Sequence, residues 1–209
     1  MPLDLSSTVS RETVEKLELF VRLFEKWNRS INLAAGSTVA DIWRRHVADS
    51  IQLWSIDPTP KKWLDLGSGG GFPGAIMAIA QSQHSTGWVH LVESNQKKAS
   101  FLRLALAETD CTRATVHACR IEDTQLDSER IDAVSARALA ELPLLLTLSA
   151  PWLAGRPETS AWFHKGRDYR REIASARSRW HFDLLEHSSK INAESVILQI
   201  TNVKAADPA

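Results

Sequence analysis

The chain has 209 residues, 44% of them apolar, with 25 basic and 25 acidic side chains, so its formal charge is zero. That length suits one good-sized core with an appendage and is short for two ordinary domains, while zero net charge excludes a global basic field; any nucleic-acid partner must be held by a local patch. Two cysteines, Cys111 and Cys119, are too few for a disulfide framework or a zinc cluster, and nothing resembles a signal peptide or an apolar span of about 18 residues. The expectation is a cytoplasmic chain with no membrane or metal partner, monomeric by default.

From Glu12 to Trp27 the apolar positions Val14, Leu17, Phe20, Val21 and Phe24 fall on one helical face behind a cap-like Ser10, which predicts an amphipathic helix. It runs into the turn formers Asn28, Ser30 and Asn32, and a second helix is predicted over Val39 to Trp54. Pro58 and Pro60 then break the chain, and from Trp63 onward strand and helix alternate. Strands are predicted at Trp63–Leu66, Val89–Val92, Ala114–Ala118, Ile131–Ser135, Ser160–His164 and Val196–Thr201. Helices are predicted after the first glycine turn, over Lys97–Ala107, over Leu139–Leu153 around Pro143, and over a basic stretch, Asp168–Trp180. This alternation predicts an α/β fold with an open, mostly parallel sheet and a ligand at the C-terminal strand edge.

The stretch KKWLDLGSGGGFPG, Lys61 to Gly74, carries most of the chemistry. An apolar strand runs into Gly67, Gly69, Gly70 and Gly71 and then into a helix, with Pro73 where a first turn tolerates a missing N–H. Glycines let a ligand approach bare backbone, and a helix start offers unpaired N–H groups. The G-x-G-x-G spacing departs from the dinucleotide pattern, but Asp65 precedes the loop and Glu93 ends the next strand, where nucleotide folds hold ribose hydroxyls. An adenosine-type cofactor is the expected ligand. On these residues alone a methyltransferase, a nicotinamide dehydrogenase and a non-catalytic binding module all stay open. The four arginines Arg170, Arg171, Arg177 and Arg179 are either a solvated face or a phosphate-contacting stripe. His46, beside Arg44 and Arg45, is expected to be a surface or capping group.

Several further motifs occur in one order: KWNRSINL (Lys26–Leu33), RHVADSIQL (Arg45–Leu53), LDLGSGGGFPG (Leu64–Gly74), Glu93, CRIED (Cys119–Asp123), SARA (Ser135–Ala138) and HKG (His164–Gly166). In these the chain resembles the RsmG (GidB) family of bacterial small-subunit rRNA guanine-N7 methyltransferases, from about Leu17 to Val203. The resemblance implies a class I methyltransferase fold: a Rossmann-like core over residues 58–209 behind an N-terminal helical segment, 1–57, forming one compact domain. It implies S-adenosylmethionine as cofactor and 16S rRNA or the small ribosomal subunit as partner, methylated at guanine 527 in rRNA numbering. By the same resemblance Asp65, Gly67, Gly69, Gly71 and Phe72 form the cofactor loop, Glu93 holds the ribose, and Ile121 and Glu122 line the adenine site. Arg137 orients substrate and cofactor without a general base, and Arg120, Lys165, Arg170 and Arg171 are the implied RNA contacts. The chain departs from many relatives in carrying Ser195 and Thr201 where they have basic residues.

Overall fold

A computed structural model of the protein describes residue 5 and residues 8–34, 40–126 and 130–206. Helix α1 (Arg11–Ile31) begins at Ser10, whose hydroxyl accepts the Thr13 N–H, and ends at Asn32 in the left-handed region. A π-helical segment (Trp43–Ala48) leads into α2 (Asp49–Ile56); the predicted start of this helix at Val39 lies outside the described residues. The alternating part comprises β1 (Lys62–Leu66), α3 (Gly74–Ala80), β2 (Trp88–Val92), α4 (Gln96–Glu108), β3 (Ala114–His117), a 3-10 turn (Ile121–Asp123) and β4 (Ala133–Arg137). It continues through α5 (Leu142–Leu153), β5 (Ser160–Lys165), α6 (Tyr169–Ala176), β6 (Trp180–Ser188) and β7 (Val196–Ala205). Pro143 sits in the first turn of α5 and starts that helix rather than breaking it.

Seven strands among the described residues form one sheet in the order β3-β2-β1-β4-β5-β7-β6, parallel from β3 to β5, with β7 inserted antiparallel between β5 and β6. The predicted α/β sheet is therefore present, with one strand more than the sequence suggested. Residues 177–179 turn the chain out of the basic helix early, and Trp180 opens β6, a nine-residue strand. A register shift between His181 and Asp183 marks a bulge in its pairing with β7.

Strand alternation divides the core in two. Trp63, Val89, Leu91, Ala133, Trp162 and Ile197 face one side, where Leu17, Phe20, Val21 and Phe24 of α1 pack with α3 and α4. Leu64, Leu66, Val134, Ala136 and Phe163 face the other, under α5 and α6. The N-terminal helices thus share a core with one face of the sheet, each large apolar side chain there contributing about 1.5–3 kcal/mol of burial. Arg137 follows Ser135 and His164 follows Trp162 on that same face, so parity brings both polar side chains under the π-helical segment. That segment and α2 also tie down the β6–β7 connection: Gln52 Oε1 of α2 accepts the Lys190 N–H at 2.7 Å, and Arg44 donates to the Ile191 carbonyl at 3.2 Å.

Candidate active site

Two cavities open at the C-terminal edge of the parallel strands. The larger, about 700 Å³, is bounded by the glycine loop, the end of β2, the 3-10 turn and the start of α5. Gly67, Gly69, Phe72, Glu93, Arg120, Ile121, Glu122 and Arg137 all stand on its wall, with Leu33, Ala34 and His46 contributed by the N-terminal segment. Ala34 is held there because its N–H donates to Asn28 Oδ1 at 2.9 Å; Asn28, expected as a turn former, lies within the last turns of α1 and anchors the chain beyond it. Gly67 adopts φ +65°, and a Cβ there would meet Leu139 at 2.7 Å, so only glycine fits; at Gly69 (φ +56°) nothing lies closer than 3.8 Å, and the loop backbone is bare there.

Glu93 is 8% exposed and grips the loop. One carboxylate oxygen accepts the Gly69 N–H at 2.8 Å and the other the Asn95 N–H at 2.7 Å. Each oxygen keeps lone-pair capacity for a further donor. Asp65 lies behind the loop and not on the cavity wall. Its carboxylate accepts from the Ser135 hydroxyl at 2.7 Å and the Gly74 N–H at 3.2 Å. Gly71 also turns inward, its carbonyl accepting the Ala75 N–H at 2.9 Å. The first N–H groups of α3 are consequently spent on Asp65, Gly71 and Pro73. The expectation that a helix start offers free donors is corrected: Asp65 and Gly71 act as struts, and the backbone of Gly67, Gly69 and Gly70 with Glu93 faces the cavity.

Gly74 must lack a side chain because a Cβ there would run into the Asp65 carboxylate, whose Cγ would be 2.8 Å away. Gly74→Ala is expected to destabilise the fold by about 1–3 kcal/mol and to weaken ligand binding at the loop, as read by denaturant unfolding and calorimetric titration.

Burial pushes the Asp65 carboxyl up to about 6. In the unfolded chain it ionises near 3.8, so between pH 4 and 6 the folded state binds more protons and this group removes up to about 3 kcal/mol of stability as pH rises. His46 works in the opposite direction. Burial, then Arg137, lowers its imidazole to about 4, so its contribution is lost as pH falls from 6.5 toward 4. In Asp65→Asn the first slope disappears, and unfolding free energy should climb with pH from 4 to 6 more steeply than in wild type. An unchanged pH profile would contradict the assignment.

The smaller cavity, about 480 Å³, lies between the π-helical segment, the ends of β4 and β5, and the β6–β7 connection. Arg44, Arg45, Asp49, His164, Lys165 and Ser195 are among its lining residues. Arg137 and Ala138 belong to both cavities. The Arg137 guanidinium donates to the Arg45 carbonyl at 2.8 Å and to His46 Nδ1 at 3.0 Å, and its Nε lies 3.4 Å from Asp49 Oδ2. Arginine only donates, so His46 accepts through Nδ1 and carries its proton on Nε2. Its ring packs on Phe72 at 4.9 Å. His46 is therefore a wall residue and not the surface group expected.

Other implied RNA contacts are distributed unevenly. Arg120 is exposed at the rim of the larger cavity. Lys165 is buried, paired with Glu172 and donating to the Ala140 carbonyl at 2.8 Å. Its ammonium is committed within the fold. Arg170 and Arg171 are exposed on α6 and line neither cavity; Arg170 lies 4.7 Å over the Tyr169 ring and Arg171 is 3.5 Å from Glu141. Thr201 is half-buried in β7. Among the described residues no group of three His, Cys, Asp or Glu side chains is arranged to hold a metal, and no helix is long and apolar enough to cross a membrane.

Comparison with solved structures gives the same architecture at low identity. The O-methyltransferase from Bacillus cereus, solved in complex with SAH, superposes with a TM-score of 0.58 at 15% identity, covering 87% of this chain and 90% of that one. Sequence relatives are far nearer. The ribosomal RNA small subunit methyltransferase G of Rhizobium leguminosarum bv. trifolii is 58% identical over 196 residues, covering 94% of this chain and 95% of the relative. That of Sinorhizobium medicae is also 58% identical, covering 93% and 92%. The model of the rRNA small subunit methyltransferase G family matches residues 13–200, a span that includes the glycine loop, Glu93, the Arg137 wall and the β6–β7 closure, and the chain belongs to that family.

Proposed function

We propose that the chain transfers a methyl group from S-adenosylmethionine to nitrogen 7 of a guanine in 16S rRNA of the small ribosomal subunit. The observation that carries this reading is the shared wall: a cavity suited to an adenosine compound adjoins a second, polar cavity, and Arg137 stands in both. Residues of the larger cavity fit the cofactor. Glu93 retains acceptor capacity for ribose hydroxyls, Ile121 and Leu139 give the wall apolar character, and the bare loop at Gly69 allows close approach.

When bound, the cofactor supplies an electrophilic methyl group on a sulfonium that departs as a neutral thioether. Guanine nitrogen 7 presents a lone pair and no proton, so no general base is required of the protein. What the chain contributes is alignment, which is worth several kcal/mol of barrier. Arg137, held from three sides, donates toward the edge of the base through an N–H that no protein group uses. A-form RNA hides nitrogen 7 in a groove too narrow for side chains, so the target is an unstacked nucleotide. The exposed Arg44, Arg45, Arg120, Arg170 and Arg171 take phosphates on either side, whereas Lys165 serves through its pair with Glu172.

The test is methyl transfer from labelled S-adenosylmethionine to small-subunit particles, to deproteinised 16S rRNA and to a small-molecule panel, with the product mapped by cleavage at N7-methylguanine. Label at a single guanine of the rRNA is the expected result. Label confined to small molecules, or to another base, would end the proposal.

A further inference from the structure

Four buried side-chain polar atoms have no hydrogen-bond partner among the described residues: His46 Nε2, Arg137 Nη1, His164 Nδ1 and Trp63 Nε1. The first three belong to side chains gathered near Asp49. An unpaired buried polar atom is costly, and each of these three has almost no surface of its own while its residue lines a cavity, which points to a polar ligand toward which these side chains turn.

Their chemistry is defined. His164 Nε2 lies 3.0 Å from the Asp49 carbonyl; a carbonyl only accepts, so Nε2 carries the proton. Burial, and the neighbouring Arg137 charge, keep the ring neutral against the pull of Asp49, which leaves a lone pair on Nδ1. Arg137 Nη1 is a donor. The two residues are register partners on the adjacent parallel strands β4 and β5, on the same face, and both approach Asp49 Oδ2, at 3.4 Å and 4.0 Å. Those contacts run through Arg137 Nε and His164 Nε2, which leaves the donor Nη1 and the acceptor Nδ1 unused on neighbouring side chains.

We propose that the smaller cavity holds the target base and that Arg137 Nη1 and His164 Nδ1 read its edge, Arg137 donating to O6 and His164 accepting from N1–H. Adenine presents these groups in the reverse order, an amino donor at position 6 and an acceptor at N1, and would set donor against donor and acceptor against acceptor. The order along the wall supports the assignment. Nitrogen 7 lies on the opposite side of O6 from N1, so a guanine gripped this way turns nitrogen 7 past Arg137. Arg137 belongs also to the cofactor cavity, and His164 lines only the smaller one. Reading the base and presenting its nucleophile are then one act.

The inference rests on the guanine-N7 reading above, and its test separates the two. His164→Gln keeps a donor for the Asp49 carbonyl and loses the acceptor at the Nδ1 position; His164→Asn keeps the acceptor and loses that donor. With wild-type labelling at nitrogen 7 established, H164Q is expected to lose about 10- to 100-fold in kcat/KM for the rRNA, and H164N to retain more activity than H164Q. Cofactor affinity by titration should stay near wild type in both. The reverse ranking, or H164Q as active as wild type, would overturn the role of His164 alone. Should either variant fail to fold, wild-type enzyme is assayed on 16S rRNA carrying inosine or adenine at the target. Inosine keeps O6 and N1–H, so it should be methylated within a few-fold of guanine while adenine is refused; refusal of inosine, or acceptance of adenine, would overturn the proposal. Absence of N7 label in wild type would end the parent reading instead.

Discussion

Arg137→Lys is expected to lower kcat/KM for rRNA methylation by about 100-fold, although lysine keeps the charge. Arg137 serves three partners at once, the Arg45 carbonyl, His46 Nδ1 and Asp49, and holds a fourth N–H in reserve. A single ammonium cannot reproduce that planar fork. The loss should appear mainly in kcat, because the interaction matters most once nucleophile and methyl group are aligned. Arg137→Ala removes charge as well and leaves Asp49, 14% exposed, beside a neutral His164; a cost near 3 kcal/mol in stability is expected. Removing Asp49 too should recover part of it, because no uncompensated charge then remains. Chemical denaturation of the single and double variants measures this, and R137K turning over at the wild-type rate would remove Arg137 from the mechanism.

Glu93→Gln should weaken S-adenosylmethionine binding about 100-fold by calorimetric titration. The carboxylate accepts two backbone N–H groups through different oxygens. An amide sets its own N–H₂ against one of them, so Gly69 or Asn95 loses its acceptor and the loop loses its tether. Glutamine also presents the ribose with one acceptor where there were two. The glycine loop should become more open to hydrogen exchange in this variant, which distinguishes a slackened loop from a lost ligand contact. Affinity within threefold of wild type would show that Glu93 is structural only.

Much of the architecture was legible because it depends on short-range pattern: the β1 to glycine to α3 unit, Glu93 closing β2, and the alternation that makes the sheet parallel. Strand β6 was not. Its alternation of Trp180, Phe182 and Leu184 is broken by the adjacent Leu185, which is 61% exposed, and by the bulge near His181, so neither helical nor strand periodicity stands out. Asp65 shows another limit. Its place before the glycines suggested a ligand contact, but strand parity turns it toward Gly74 and Ser135, where it braces the loop from behind. The cluster at Asp49 was hidden for a different reason. The π-helical turn, which sets where His46 and Asp49 point, has no local sequence signature, and its partners Arg137 and His164 come from strands about 90 and 115 residues away.

Strand β6 has a consequence for the free protein in a crowded cell. It ends the sheet, and an unpaired strand edge is a template on which other chains can stack. Here the edge is blunted: the bulge between His181 and Asp183 interrupts its spacing, Asp183 and Glu186 place negative charge along it, and Asp183 is engaged by Asn202 while Glu186 accepts from Tyr169. An exposed Leu185 sits between those two acids. Replacing both acids with valine would leave an uncharged apolar rim guarded by the bulge alone, and light scattering on warming should then report oligomers that the native edge refuses.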